Sequence, residues 1–297
     1  MSDALRNAVN AALDKELGAK LPPGLYLVAT PIGNLSDITL RALAVLALAD
    51  HVCCEDTRHT QKLLGHYGIS ARTSAYHDHN AARERPKILK KLADGAAVAL
   101  VSDAGTPLVS DPGYKLVREA AAQGSAVISI PGASALLAGL TSSGLPTDSF
   151  FFAGFLPAKE AAARARLAEL RSVPGTLIFF ESANRLPRTL GLLNEAFGGR
   201  ELVVARELTK RFEEIIRLAL PADPSTGERL KGEIVLLVAP PEHDTVTEAE
   251  IRAAIGTALA HMSLRDAVED VRRTLRVPRR QVYELALEFQ RGHGDGE

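Results

Sequence analysis

The sequence predicts an α/β protein with two successive α/β domains and a small helical C-terminal region. Short runs of Val, Ile, Leu and Ala alternate with helix-like segments, a pattern typical of a mostly parallel sheet covered on both faces. The alternation pauses around residues 141–149 and then resumes, whereas beyond Pro240 and Pro241 the pattern is helical only. We therefore expect four segments in chain order: an N-terminal extension at 1–22, α/β domains at 23–146 and 147–240, and a helical, helix-turn-helix-like tail at 241–297.

The first domain contains four predicted strands and two helix-like stretches between them. The strands are LYLVAT at 25–30, HVCCED at 51–56, AVALVS at 97–102 and AVISI at 126–130. The helices are predicted at 36–50 and 114–124. Asp111 and Pro112 are residue types typical of a helix N-cap and first helical position, and Gly124 is typical of a helix end. We therefore expect Asp111 to cap the second helix.

The second domain and the tail show the same kinds of signal. Strands are predicted at 151–155, 176–181, 201–207 and 233–239, with helices near 159–172 and 184–197. In the tail, two amphipathic segments at 263–275 and 279–289 are joined by a tight turn, which suggests a helix-turn-helix. Five arginines between Arg272 and Arg280 could form a basic patch. The alternative is an ordinary solvated helical hairpin.

Composition excludes several classes of protein. The net charge of −1 indicates no general affinity for nucleic acid, so any RNA binding needs a local basic patch. No apolar run approaches the roughly 20 residues that cross a bilayer. Cys53 and Cys54 are adjacent, so on a strand their side chains point to opposite faces and form neither a disulfide nor a CxxC metal site. A reducing, cytoplasmic location is therefore expected.

The sequence lacks three common ligand-binding and metal-binding motifs but contains three loops that are candidates for a binding site. It has no GxxxxGK[ST] phosphate loop, no HExxH and no GxGxxG that opens a βα unit. Instead, loops at 29–34, 103–107 and 131–135 follow predicted parallel strands at their carboxyl ends, where ligands of such sheets usually bind. Their glycines and alanines permit a close approach of backbone to ligand. These loops predict a concave site for a small ligand, with plain connecting loops as the alternative.

An ordered series of longer motifs carries a resemblance to a known family. The series begins with LYLVATPIGNLSDITLRALAVLALADHVCCEDTRHTQKLL and continues with LVSDAGTPLVSDPG, IPGASALLAGL, FAGFLPAK, TLIFFESANRL, ARELTK and KGEIVLLV. In this order the motifs resemble the tetrapyrrole methylase superfamily, and within it the branch that acts on small-subunit ribosomal RNA. The resemblance covers residues 24 to about 239 and is less sharp in the tail.

The resemblance implies a fold, a cofactor and a set of site residues. The fold is two α/β domains with S-adenosylmethionine in the cleft between them, usually in a homodimer. The resemblance implies that the loop SDAGTP contacts the cofactor and that the following SDPG caps the next helix. The implied cofactor-contacting residues are Pro31, Asp103, Ala104, Gly105, Ser134, Ala135 and, packing over the cofactor, Phe180.

The implied reaction is methylation of the 2′-hydroxyl of a cytidine in the decoding region of small-subunit (16S) ribosomal RNA, in the assembled 30S subunit. A base or hydrogen-bond acceptor near the weakly acidic hydroxyl would assist this transfer. The catalytic candidates are Asp56, Arg58, His79 and Glu181. The substrate-binding candidates are His77, Arg185, Arg206, Glu207, Lys210, Arg279 and Arg280.

Some of these candidates have simpler interpretations. Arg206 and Glu207 could form an exposed ion pair at a strand end. His77 and His79 could bind a metal from one side of an extended segment, but no third ligand is apparent, so we expect no metal site. Relatives commonly carry histidine where this sequence has Asn184, so we assign no catalytic role at that position.

Two other functions remain open at this point. A tetrapyrrole methyltransferase of the same superfamily would resemble a GxGPGD pattern at the first loop, whereas this sequence has ATPIGN. A non-catalytic RNA-binding assembly factor would leave the three glycine-containing loops unexplained. The first loop and the Arg-rich tail favour an RNA substrate.

Overall fold

A computed structural model describes residues 2–241, 248–275 and 277–294. The chain forms two compact units, Met1–Pro240 and Pro241–Glu297. The first unit contains two five-stranded sheets, and the described part of the second contains helices and no strands. This architecture confirms the predicted fold class.

The first sheet is entirely parallel, in the strand order β3-β2-β4-β1-β5. Helices follow its strands, as expected for buried apolar runs separated by helix-length segments. The elements in chain order are α1 (Ser2–Leu17), β1 (Gly24–Val28), a 3₁₀ turn (Leu35–Asp37), α2 (Leu40–Leu48), β2 (His51–Cys54), α3 (Thr57–His66), β3 (Thr73–Ala75), α4 (Ala81–Ala93), β4 (Ala97–Val101), α5 (Tyr114–Ala122), β5 (Val127–Ile130) and α6 (Ala135–Ser143).

Both faces of the first sheet are covered by apolar side chains. Cys53 packs with Leu100 and Leu116 on one face, and Cys54 packs with Leu46 on the other. The expected opposite orientation of the two thiols is confirmed. Burial raises the pKa of the Cys53 thiol to about 12, so this side chain behaves as a core residue.

The second sheet is mixed, in the strand order β6-β7-β10-β8-β9. Only the β6–β7 pairing is parallel. The elements are β6 (Phe150–Phe155), α7 (Glu160–Leu170), β7 (Thr176–Ser182), α8 (Leu186–Phe197), β8 (Glu201–Arg206), β9 (Glu214–Ala219), α9 (Ser225–Glu228) and β10 (Glu233–Val238).

Helix α6 packs against the second sheet and so joins it to the first. Leu136 and Leu140 of α6 lie in one buried cluster with Val235 and Leu237 of β10. A Cβ atom on Gly139 would lie 3.1 Å from Cγ1 of Val235, so the helix backbone approaches the sheet closely. This contact fixes the position of the loop that precedes α6, which is one of the three predicted site loops.

The structure corrects the prediction for the start of α5. Asp111 does not cap this helix: the N-cap position is Gly113, with φ of 135° and no side-chain capping bond. The carboxyl group of Asp111 is instead drawn inward beside Ser102, and burial raises its pKa. The predicted end is confirmed, because Gly124 has φ of 78° just after the helix.

The strands β3 and β9 were not predicted from the sequence. β3 has three half-buried residues, which is too short for a periodic signal. β9 lies at the sheet edge and carries Glu214 and Arg217 among its apolar residues, so it lacks the continuous apolar run of the buried strands.

The second unit contains three helices: α10 (Glu248–Leu259), α11 (Leu264–Leu275) and α12 (Arg279–Gly294). The two amphipathic segments predicted in the tail form α11 and α12. They share a small apolar core with α10, to which Ile255, Val268 and Val282 contribute. No helix in the described part of the chain is long and apolar enough to cross a membrane.

Candidate functional site

Backbone hydrogen bonds tie the three predicted site loops together. The amide of Thr30 donates to the carbonyl oxygen of Gly105 (2.9 Å), and the amide of Gly105 donates to that of Thr30 (3.0 Å). The hydroxyl of Thr106 then donates to the carbonyl oxygen of Ala133 at 3.2 Å. The loops after β1, β4 and β5 therefore form one continuous rim at the carboxyl edge of the first sheet.

Two of the motif segments hold non-glycine residues in the left-handed backbone region. Leu108 (φ 75°) and Ser110 (φ 67°) follow the SDAGTP loop, while Glu207 (φ 49°) and Thr209 (φ 64°) lie in ARELTK. Such conformations cost on the order of 1–3 kcal/mol each and cluster at functional sites. Among the described residues, these four are the only non-glycine residues with positive φ. Their location supports a site formed by these two segments.

The ATPIGN loop of the first sheet meets the ARELTK segment of the second. The amide of Asn34 donates to the hydroxyl oxygen of Thr209 at 3.1 Å. A Cβ atom on Gly33 would lie 2.5 Å from Cγ of Lys210 and 3.2 Å from the carbonyl oxygen of Leu208. Glycine at position 33 therefore permits this close seating, and the two segments form one surface.

The predicted cofactor-contacting residues lie around a shared apolar cluster. Phe180, Ala133 and Ala135 pack against one buried cluster that includes Ile32, so residues of the second sheet and of two loops of the first share an apolar cluster. The rings of Phe180 and Phe152 are in an edge-to-face contact at 4.8 Å. Most of the set predicted from the resemblance lies in the three linked loops or in this cluster: Pro31, Gly105, Ser134, Ala135 and Phe180.

Asp103 connects the β4 loop to the start of α3. Its Oδ1 atom accepts a hydrogen bond of 3.0 Å from the amide of Asp56. Nearby Glu55 is half-buried, and its pKa is raised by burial and then by the charges of Asp103 and Asp111. Asp103 therefore lies among acidic side chains and braces two adjacent loops.

Asp56 and Arg58 form a closed pair at the N-terminus of α3. Asp56 caps the helix by accepting from the amide of Arg58 (2.8 Å), and the guanidinium of Arg58 donates to both carboxylate oxygens (3.2 and 2.7 Å). These hydrogen bonds hold the pKa of the Asp56 carboxyl well below its usual range. A carboxylate with such a low proton affinity is a weak general base.

His77 and His79 lie in the loop after β3, on the same edge of the sheet as the other loops. Their rings are in edge-to-face orientation with centroids 6.0 Å apart. His79 is exposed, whereas Nδ1 of His77 is buried without a hydrogen-bond partner in the described part of the chain. In the described ranges, no group of three or more His, Cys, Asp or Glu side chains is arranged to hold a metal ion.

Glu181 lies on the face of β7 opposite to Phe180, because adjacent strand residues point to opposite faces. It is buried, accepts from the hydroxyl of Thr189 (2.6 Å) and the amide of Ser182 (2.8 Å), and pairs with Arg185 at 3.4 Å. Arg185 also donates to the carbonyl oxygen of Leu156 (2.6 Å). The structure therefore groups Glu181 and Arg185 around the start of α8, and it does not bring them to the three loops.

The charged residues of ARELTK form two separate ion-pair networks. Nε of Arg206 donates to Glu214 at 2.7 Å. Lys210 donates to Glu207 (2.8 Å) and to Glu233 (2.6 Å). Its pKa, lowered by partial burial, is raised on balance by these two carboxylates. Arg206 and Glu207 thus pair with other residues rather than with each other.

The arginines of the tail are mostly paired within their own helices. Arg272 pairs with Glu269 (3.4 Å), Arg273 with Asp270 (3.1 Å) and Arg280 with Glu284 (2.8 Å). Arg276, the central residue of the predicted basic patch, lies outside the described residues. Paired arginines attract phosphate less strongly, so the substrate-binding role of Arg279 and Arg280 stays a prediction.

A small cavity of about 160 Å³ adjoins the rim, and the sequence did not reveal it. It lies between the β1 loop, α3 and the end of β4, and Pro31, Leu35, His59, Lys62 and Asp103 are among its lining residues. The only signal in the sequence was the spacing of His59 and Lys62, which puts both on one helix face. That spacing becomes informative only once the neighbouring loops are known.

Two glycines of the rim lie against neighbouring side chains. A Cβ atom on Gly105 would lie 3.1 Å from Cγ2 of Ile32, and one on Gly132 would lie 3.0 Å from Cβ of Ala29, so these positions have no room for a larger residue. Ala104 and Gly132 are exposed at the rim. Exposed small residues, together with an apolar cluster that includes Phe180, are suited to a ligand with both an aromatic ring and polar groups.

Comparison with known proteins finds a matching family model and similar proteins that cover most of the chain. The family model for Tetrapyrrole (Corrin/Porphyrin) Methylases matches residues 24–222. The chain is 50% identical over 281 residues to "Ribosomal RNA small subunit methyltransferase I" of Mesorhizobium japonicum, covering 93% of this chain and 96% of that protein. It is 42% identical to the protein of the same name from Escherichia coli O157:H7, covering 90% and 95%.

Solved structures share the fold at low sequence identity. The methyltransferase CobJ is 21% identical, with a TM-score of 0.55, and the match covers 73% of this chain and 94% of that one. A uroporphyrin-III C-methyltransferase from Thermus thermophilus, solved as a complex with S-adenosylhomocysteine, is 18% identical with a TM-score of 0.52, covering 73% and 97%. These structures support the architecture of the first unit.

Proposed function

We propose that this chain is a ribose methyltransferase, because it belongs to the ribosomal RNA small subunit methyltransferase I family of the tetrapyrrole methylases. It transfers a methyl group from S-adenosylmethionine to the 2′-hydroxyl of a cytidine in small-subunit ribosomal RNA. The target nucleotide lies in the decoding region of the assembled 30S subunit. Ribosomal RNA as substrate makes the cytoplasm the proposed place of action.

The observation that carries this proposal is the hydrogen-bonded rim of three small-residue loops, two of which share an apolar cluster with Phe180. Residues 30 and 105 pair through their backbones, and Thr106 connects this pair to the loop before α6. A rim held by backbone bonds is rigid, and a rigid site positions a ligand with little loss of conformational freedom.

When bound, S-adenosylmethionine supplies an electrophilic methyl group on a sulfonium sulfur. The residues proposed to hold the cofactor are Pro31, Asp103, Ala104, Gly105, Ser134, Ala135 and Phe180. Phe180 offers an apolar surface, and Asp103 offers a negative charge that complements a cationic ligand.

The chain's main contribution to the rate is proposed to be positioning of the ribose hydroxyl. Well-oriented groups gain about 7–11 kcal/mol over free reactants. Arg58 holds Asp56 in its ionised form, which makes Asp56 a weak base. The proton of the ribose hydroxyl is therefore proposed to pass to solvent water as the new carbon–oxygen bond forms and the carbon–sulfur bond breaks. The pair of Asp56 and Arg58 is therefore proposed to orient substrate at the start of α3, with His77 and His79 at the neighbouring loop.

The proposed assembly is a homodimer, as in the family that the sequence resembles. The edge strand β6 exposes three aromatic rings, Phe150, Phe151 and Phe155, which a second copy could cover. Light scattering on the purified protein measures the mass directly: twice the chain mass supports the dimer, and a single chain mass contradicts it.

The proposed function is tested by calorimetry and by transfer of labelled methyl groups. Calorimetry first measures binding of S-adenosylmethionine to the full chain; absence of binding at millimolar ligand would leave only the non-catalytic interpretation. Transfer is then measured to unmodified small ribosomal subunits, to naked ribosomal RNA and to uroporphyrinogen. We expect label in the ribosomal subunits, whereas label in uroporphyrinogen alone would identify a tetrapyrrole methyltransferase.

A further inference from the structure

The cavity beside the rim has an apolar part and a basic part. Pro31, Leu35 and Leu63 form the apolar part, and His59 and Lys62 are its basic residues. At about 160 Å³ it takes a fragment of a ligand rather than an entire nucleotide cofactor. The apolar residues match a ring face of a nucleotide and the two basic residues match its phosphate, while Asp103 adds one carboxylate to the lining.

Helix α3 positions the two basic residues. Positions 59, 62 and 63 are separated by three and four residues, so His59, Lys62 and Leu63 lie on one helix face. Both basic side chains are exposed, while Leu63 is buried beneath them. The face therefore presents cationic and hydrogen-bonding groups outward at the mouth of the cavity.

Lys62 is a basic residue without a counter-ion at this site. Within the described ranges its side chain makes no ion pair or hydrogen bond. The neighbouring Arg58 differs, because Asp56 engages its guanidinium in two hydrogen bonds. The carboxylate of Asp103, which also lines the cavity, accepts from the amide of Asp56 rather than pairing with Lys62.

We propose that Lys62 and His59 form a binding subsite for an RNA phosphodiester, in the strand that enters the cavity beside the methyl-accepting nucleotide. This inference rests on the proposed function, since it names the part of the RNA that the same site holds. The ammonium of Lys62 contacts a phosphate oxygen, and the imidazole of His59 donates a second hydrogen bond. The apolar lining takes the ribose or base next to that phosphate.

The experiment compares Lys62→Ala with a matched lysine variant, Lys90→Ala. Lys90 is also exposed on a helix, but it lies near the end of α4 that leads to the amino edge of the sheet, away from the site loops. Binding of unmodified small ribosomal subunits is measured at several salt concentrations, together with calorimetric binding of S-adenosylmethionine.

We expect Lys62→Ala to weaken subunit binding on the order of tenfold and to reduce the salt slope by roughly 0.7, the value for one phosphate contact of a single strand. Lys62→Arg should restore most of the affinity, and His59→Ala should weaken binding without a comparable effect on the cofactor. Lys90→Ala should behave as the wild-type chain.

Three outcomes would overturn the inference. If Lys62→Ala and Lys90→Ala bind subunits equally well, Lys62 is an ordinary surface residue. If Lys62→Ala loses affinity for S-adenosylmethionine in the absence of RNA, the subsite belongs to the cofactor carboxylate. If the wild-type chain transfers no methyl group to ribosomal RNA, the proposed function fails and this inference fails with it; the first two outcomes leave the proposed function intact.

Discussion

Thr30 and Gly105 exchange two backbone hydrogen bonds, of 2.9 and 3.0 Å, across 75 positions of the sequence. This isolated antiparallel bridge connects the loops after β1 and β4, two strands that are themselves neighbours in parallel. It explains the composition of SDAGTP: Gly105 has φ of 77°, a conformation that L side chains rarely adopt. The bridge is the structural basis of the rim to which we assign the cofactor.

Gly105→Ala should lower the affinity for S-adenosylmethionine at least about tenfold. An alanine would be strained by about 1–2 kcal/mol, and its Cβ would press on Ile32 at 3.1 Å. The control is Gly95→Ala, because Gly95 also has positive φ (85°) but no atom within 4 Å of its Cβ position. Calorimetry measures the affinity for S-adenosylmethionine and denaturant unfolding measures the stability, so a loss of binding is separated from a loss of stability. Equal cofactor affinity in both variants would show that the rim does not contact the cofactor.

Asp103 should have two separable roles: it accepts a hydrogen bond that holds the start of α3, and its negative charge attracts the cofactor. Asp103→Ala leaves the amide of Asp56 without its acceptor and should cost about 1–3 kcal/mol of unfolding free energy. Asp103→Asn retains the acceptor oxygen, so it should fold with nearly the wild-type stability but bind S-adenosylmethionine more weakly. If folded Asp103→Asn binds S-adenosylmethionine as tightly as the wild-type chain, Asp103 is a structural turn residue only.

Replacing both Arg279 and Arg280 by alanine should weaken RNA binding and flatten its salt dependence. Arg280 is already paired with Glu284, so Arg279 should account for most of the change. A suitable control is Arg252→Ala, since Arg252 is held by Glu248 and Glu288 within the same unit. A salt slope that matches the control would identify the tail as a structural hairpin.

Stability should fall with rising pH through ionisation of Cys53. Burial raises the pKa of this thiol from about 9 to about 12 in the folded chain, so between these values the unfolded chain loses a proton that the folded chain keeps. The unfolding free energy then decreases by at most about 1.4 kcal/mol per pH unit. Cys53→Ala should show a shallower decline than the wild-type chain in denaturant unfolding. Parallel declines would contradict the assignment of the effect to Cys53.

Much of the fold could be predicted because its strands are buried. Continuous apolar runs such as AVALVS lie in β4, where all five residues are buried. The site loops could be placed as well, since parallel strands put their carboxyl ends on one edge. β9 was missed because Glu214 and Arg217 interrupt its apolar residues, so it shows neither a continuous apolar run nor a regular alternation.

The parts of the site that were not predicted depend on tertiary packing. The inward turn of Asp111 follows from a loop that contains Leu108 and Ser110 at positive φ, which no local pattern indicates. The cavity next to α3 exists only because the β1 loop and the end of β4 close around that helix. The placement of Glu181 was accessible in principle, because adjacent residues of a strand point apart and Phe180 occupies the site face.

The measurement that tests the central claim most directly is the location of the transferred methyl group. Unmodified small ribosomal subunits are incubated with the protein and labelled S-adenosylmethionine, and the RNA is digested and analysed by mass spectrometry. We predict a single labelled nucleoside, a cytidine methylated on its ribose 2′-oxygen, from the decoding region. A methyl group on a base, or label that reaches uroporphyrinogen but no RNA, would contradict the account.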